Sequence, residues 1–194
     1  MTRTCIVLAV VAACGDPGGG EDANELITRV ELTFAPSGGG TPQTFRFDDD
    51  DGDGGYPGMS EPITLAAGMY DLAVAFQNAL EDPPEDITLE VRDEAIEHQV
   101  FFTGSSVVGP ATANTVGPLM HSYADTDDHG LPIGLASSIV ASAGTGDLIV
   151  TLRHMPPEEP PEKAADSAAN VATGGFSAIG GSTDAQVTFS VTVP

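Results

Sequence analysis

The feature that most constrains this chain is a two-residue alternation of apolar side chains that returns in segment after segment. Residues 26–34 carry Leu26, Thr28, Val30, Leu32 and Phe34 in one phase. Residues 69–80 carry Tyr70, Leu72, Val74 and Phe76, and 185–193 carry Val187, Phe189, Val191 and Val193. Successive side chains of a strand point to opposite faces, so this pattern makes half-buried strands; an amphipathic helix would repeat about every 3.6 residues. Shorter runs at 43–47, 63–66, 99–103, 118–124, 135–141 and 148–154 bring the expectation to about nine strands. The 23 glycines and 15 prolines supply turns between them. One segment breaks the alternation: across 86–97, Ile87, Val91 and Ala95 recur every fourth residue behind Asp86, which predicts one short helix. The expected fold is therefore all-β, an Ig-like antiparallel β-sandwich of about nine strands with one short helix.

The N-terminus reads as an address. Arg3 is followed by an apolar run over 5–13, too short for a bilayer, which needs about 20 residues, but suited to a secretory signal. The run ends Val11-Ala12-Ala13-Cys14, which resembles a bacterial lipobox, and that resemblance implies acylation of Cys14 after removal of 1–13. Gly15, where Asp would favour inner-membrane retention, implies sorting to the outer membrane. Residues 14–24 form a Gly- and Asp-rich tether. Residues 25–194 are expected to be a single sandwich domain with a Pro- then Gly-rich loop insertion at 155–182. With Cys5 removed and Cys14 lipidated, neither of the two cysteines is left for a disulfide. The formal net charge of −23 argues against nucleic-acid phosphates and anionic headgroups as partners, because both need a basic patch.

Two acidic loops are candidate calcium sites. Asp49-x-Asp51-x-Asp53-Gly54 places oxygens at alternating positions before a glycine, as a calcium loop does. An EF-hand would set a bidentate Glu at the twelfth position; Ser60 stands there and Glu61 follows one residue late. Asp125-x-Asp127-x-His129-Gly130 echoes the first loop, with an imidazole where a hard cation wants oxygen. The plainer alternative for both is a solvated acidic turn.

The histidines offer a second kind of site. His98 is in phase with Val100 and Phe102, His121 with Leu119 and Tyr123, and His154 with Leu148, Val150 and Leu152. Three imidazoles then lie on inward faces near strand ends, and with Glu97 they could hold a transition metal such as zinc, less expected here than calcium. The alternative is that each histidine caps the core on a carbonyl. No pattern of catalysis stands beside them: there is no G-x-S-x-G, no H-E-x-x-H and no P-loop, and Gly144-Thr145-Gly146 reads as a hairpin turn. A non-catalytic protein is expected.

Taken in order, several segments resemble one family: Leu26-Ile27-Thr28-x-Val30-x-Leu32-Thr33-Phe34, Asp49-x-Asp51-Gly52-Asp53-Gly54-Gly55, Glu97-His98-Gln99-x-Phe101-Phe102, Leu152-Arg153-His154 and Thr183-Asp184-Ala185-x-Val187-Thr188-Phe189. The chain resembles small Bacteroidetes-type envelope lipoproteins often labelled "type 1 periplasmic binding fold". That label describes two α/β lobes, whereas these residues predict strands. The resemblance implies a lipid-anchored envelope protein of the outer membrane that accompanies an outer-membrane receptor and assists uptake by binding a ligand or metal. A calcium-stiffened surface or adhesion module is the alternative. This chain departs from the family in His129, where relatives tend to carry Asn, and in its longer loop after His154.

Overall fold

Alternating side chains need a second layer to cover their apolar face, and the chain supplies it by folding into two sheets over one core. The structure is a computed structural model that describes residues 26–52, 58–158 and 160–194. The first half contains β1 (Arg29–Pro36), β2 (Gln43–Asp48), β3 (Met59–Ser60), β4 (Ile63–Thr64), β5 (Gly68–Asn78), β6 (Glu85–Asp86) and helix α1 (Thr88–Asp93). Then come β7 (His98–Thr103), β8 (Val107–Val108), β9 (Leu119–Tyr123), β10 (Ala136–Ala141), β11 (Gly144–His154), helix α2 (Ser167–Gly174), a 3-10 turn at Phe176–Ala178, and β12 (Ser182–Val193).

One sheet runs β3-β2-β1-β5-β10-β9-β8, with β6 paired to β5; the other runs β4-β12-β11-β7. Pairing is antiparallel except for β8 with β9 and β4 with β12. The expected alternation is realised: Val30, Leu32, Phe34, Leu72, Val74 and Phe76 from the first sheet meet Val100, Phe102, Leu148, Val150, Leu152, Val187, Phe189 and Val191 from the second in one buried cluster. The fold is all-β with little helix.

Two expectations need correction. The helix count is two among the described residues, not one, because the insertion at 155–182 contains α2. Its sequence Ser-Ala-Ala-Asn-Val-Ala-Thr-Gly is rich in alanine, the best helix former. Ala168 and Val171, three apart, seat it with Phe101, Ala111 and Met155 in a second apolar cluster. Phe101 comes from β7, whose residues from His98 to Phe102 are all buried, so this strand is covered on both faces. Gly144-Thr145-Gly146, read as a turn, begins β11 instead. A Cβ on Gly146 would come within 2.8 Å of the Ser106 amide nitrogen, so a side chain has no room there.

The insertion is held down by the two most deeply buried cations. Arg153 donates through Nη1 to Thr183 Oγ1 at 2.6 Å, and through Nη2 to the Gly180 and Gly181 carbonyls at 2.6 and 2.5 Å. Its guanidinium also lies 5.5 Å from the Phe176 ring centroid. Lys163 Nζ donates to Asp127 Oδ2 and to the Ala95 carbonyl, both at 2.7 Å, with the Lys163 and Asp127 side chains 1% and 0% exposed. Removing one partner of such a pair strands a charge out of reach of water. Lys163→Ala should therefore cost about 3–5 kcal/mol, measured as a fall in the urea midpoint at unchanged slope; an unchanged midpoint would show that the pair does not pin the insertion.

Candidate functional site

The pairing of β7 with β11 decides which histidines meet. His98 opens β7, His154 closes β11, and the antiparallel register sets them directly opposite one another. Their rings stack with centroids 4.6 Å apart and planes 12° from parallel. His98 is 3% exposed, while the His154 side chain keeps 15%.

The end of α1 then orients the His98 ring. The last carbonyls of a helix have no partner within it, and the Glu94 carbonyl, just past Asp93, accepts from the Glu97 and His98 amides at 2.9 and 3.2 Å. It also lies 3.2 Å from His98 Nδ1. A carbonyl can only accept, so this bond assigns the proton to Nδ1 and leaves a lone pair on Nε2. That Nε2 faces Asp184 Oδ2 at 3.8 Å. The Glu94 carboxylate stands 3.9 Å from His98 Nδ1, and Glu97 Oε2 lies 3.1 Å from His154 Nε2. One ligand atom each from Glu94, His98 and His154 fall within 4.8 Å of one another.

Electrostatics favour the ligand form of the imidazole. Burial lowers the His98 pKa to about 4, outweighing the Glu94 carbonyl, which raises it; His154 and Lys163 push it further down. A neutral ring with a free nitrogen is what a transition metal binds. Burial also raises the pKa of Asp184, against the pull of His154, the Ser182 hydroxyl and Arg153. Asp184 also lines a cavity of about 620 Å³ with Ile27, Val30, Phe47, Asp49 and Val187.

His121 takes no part in this cluster, contrary to the expectation that three histidines converge. It belongs to the other sheet, where its ring packs 4.4 Å from Phe102 and 4.8 Å from Tyr123 by centroid. Its Nε2 lies 3.0 Å from Ser137 Oγ. Strand parity placed it inward, and it is inward, but parity does not say which sheet a strand joins. Glu97, expected as a ligand, holds the His154 ring through Nε2. Glu94 was missed because its approach to His98 needs a helix end and a strand start in one turn. Asp184 was missed because the alternation of β12 assigns it to the outer face.

The acidic loops divide. In the first, Asp49 is 8% exposed and its Oδ1 accepts from the Gly52 amide at 3.3 Å; Asp51 is exposed, and Asp53 lies outside the described residues. In the second, Asp125 accepts from the Gly134 and Ala136 amides, both at 2.8 Å. Asp127 Oδ1 accepts from the His129 and Leu131 amides, both at 2.9 Å, while its Oδ2 takes Lys163. Burial works to raise the pKa of Asp127, but Lys163 and the amides prevail and lower it. A cation here would have to displace an ammonium and four main-chain donors. Cys14 and the tether also lie outside the described residues. Among the described residues, no helix is long and apolar enough to cross a membrane.

Compared with known proteins, the chain matches no family model, no curated protein and no solved structure.

His121 makes the pH response calculable. Burial lowers its pKa from 6.5 to about 4, so between those values the unfolded chain binds a proton that the folded protein refuses. Stability is full above the unfolded pKa and falls as pH drops through this window. At about 1.4 kcal/mol per pKa unit, the loss by the lower end is on the order of 3 kcal/mol. The NMR signals of the His121 ring should remain those of neutral imidazole down to about pH 5, with the urea midpoint falling over the same range. A ring titrating near its ordinary value would contradict the assigned burial.

Proposed function

We propose that this chain is a non-catalytic, lipid-anchored protein of the bacterial cell envelope, an accessory binding module that works beside an outer-membrane uptake receptor. Cys14 carries the lipid, residues 14–24 space the domain from the membrane, and the two sheets are an Ig-like sandwich. The ligand is a metal ion held at the His98–His154 cluster, and this pairing of two imidazoles with flanking carboxylates is the observation that carries the reading. Zinc-class cations favour nitrogen and carboxylate donors together, whereas calcium takes oxygen alone. The net charge of −23 supports it, because a strongly negative surface concentrates cations near the protein. The same charge argues that the partner surface is not nucleic acid.

Two experiments test the two halves of this reading. In cells, labelled palmitate should be incorporated into the protein and lost on Cys14→Ser; labelling that survives the substitution would remove the anchor. For the metal, unlipidated protein treated with EDTA is melted with zinc or calcium restored. A ligand at 100 times its dissociation constant adds about 2.7 kcal/mol, which for a chain of this size raises the midpoint by roughly 5–11 °C. Zinc should produce that shift, and His98→Ala should abolish it. A shift with calcium alone would transfer the function to Asp49 and Asp51 and to a surface-interaction module, and no shift with either ion would contradict metal binding.

A further inference from the structure

The register of β12 on β11 slips at one point. Leu152 pairs with Ala185, but the next residue, Arg153, pairs with Thr183, so Asp184 has no partner across the ladder. An extra residue of this kind is a β-bulge, which re-aims a side chain relative to the strict alternation of the strand. Here it turns Asp184 away from the outward set and against the buried imidazoles. The Asp184 side chain is 9% exposed, and its Oδ2 is buried with no hydrogen-bond partner; Oδ1 receives only the Ser182 hydroxyl at 3.4 Å.

We infer that Asp184 is the fourth ligand of the centre, joining His98 Nε2, His154 and Glu94 around a zinc-class divalent cation. The inference rests on the metal reading above and specifies its geometry. A carboxylate oxygen and a nitrogen lone pair facing each other at 3.8 Å are both acceptors, too far apart for a hydrogen bond and with no donor to share. A divalent cation between them satisfies both at once. Donors at about 2.0–2.1 Å from a tetrahedral zinc stand about 3.4 Å apart, so His98 and Asp184 need close by only a few tenths of an ångström. The Glu94 carboxylate must swing round from the Nδ1 side of His98, and the His154 ring must turn out of its stack on His98. His154 then ligates through Nδ1, because Glu97 engages its Nε2; a carboxylate on the far nitrogen is the usual support of a metal-bound imidazole.

Four protein ligands leave no open position, which is the arrangement of a structural rather than a catalytic zinc site. The donors come from the end of α1, the first residue of β7, the last of β11 and the bulge of β12. An ion here therefore clamps both ends of the 155–182 insertion, which leaves the sheet after His154 and rejoins it at Ser182. Gly181 reinforces the closeness of these segments: its φ is +76°, and a Cβ there would run into the His154 carbonyl.

The test is zinc affinity, measured on the full chain by competition with a chromogenic chelator, for wild type, His98→Ala and Asp184→Asn. Asp184→Asn should weaken zinc at least tenfold. Without metal it should melt no lower than wild type, since the amide removes the confrontation and can donate to His98 Nε2. Equal zinc affinity in Asp184→Asn and wild type, with binding lost in His98→Ala, would overturn the ligand assignment and leave the metal reading intact. No zinc binding by wild type would overturn both. Cobalt(II) in the wild-type protein gives a readout independent of any variant: intense visible absorption of a four-coordinate ion is expected, and the weak absorption of a six-coordinate ion would overturn the closed site.

Discussion

The pairing of β11 on both its edges is the constraint on which the rest of this structure depends. On one side it aligns β7 so that His98 meets His154; on the other it aligns β12 and forces the bulge that isolates Asp184. A one-residue slip of either ladder would turn every side chain of the moved strand to the opposite face. Such a slip would carry Val100 and Phe102 out of the main core and bring Phe101 into their place, or expose Val187 and Phe189, so packing of the apolar core also holds the polar cluster in place. The geometry of the candidate site is in this sense a by-product of packing, and it needs no flexible loop to assemble.

Energetics separate the polar contacts that shape the molecule from those that decorate it. The pairs Arg29–Asp48 and Arg46–Glu31 are partly exposed on the first sheet, where screening and side-chain entropy leave such bridges worth about 0–1 kcal/mol. Lys163–Asp127 is fully buried, and its value lies in the penalty for breaking it. The ammonium joins the 125–131 turn, the carbonyl of Ala95 after α1 and the insertion, three segments with few other reasons to meet. Arg153 does the same for the return of the insertion into β12. Among only six basic residues, two are thus committed to fixing the segment that surrounds the histidine pair.

Much of the fold was legible because the long strands repeat every second residue, and the sheets realise that phase in β1, β5, β11 and β12. Of the two-residue strands, β4 falls within the run read at 63–66, whereas β3, β6 and β8 carry no periodicity to read. Helix α2 was hidden by the proline and glycine on either side of it, although its alanines favour it. At the site, parity placed His98, His121 and His154 inward, but only the ladder between β7 and β11 determines that two of them touch. Asp184 was illegible for a physical reason: a bulge is the local failure of the very alternation used to assign faces. The loop Asp125-x-Asp127 shows the converse. Its spacing resembles a cation loop, yet main-chain amides and a distant lysine satisfy its carboxylates, and no local pattern announces a lysine 36 positions away.

The most direct test of the central claim, that the stacked pair His98–His154 is the binding centre, is long-range proton–nitrogen NMR of all four imidazoles during a zinc titration. Without metal, His98 should appear as the Nδ1–H tautomer fixed by the Glu94 carbonyl. Added zinc should move the nitrogen signals of His98 and His154 together, Nε2 in the first and Nδ1 in the second, while His121 and His129 stay where they were. Signals of His121 or His129 moving in their place, or a His98 ring that carries its proton on Nε2, would contradict the account.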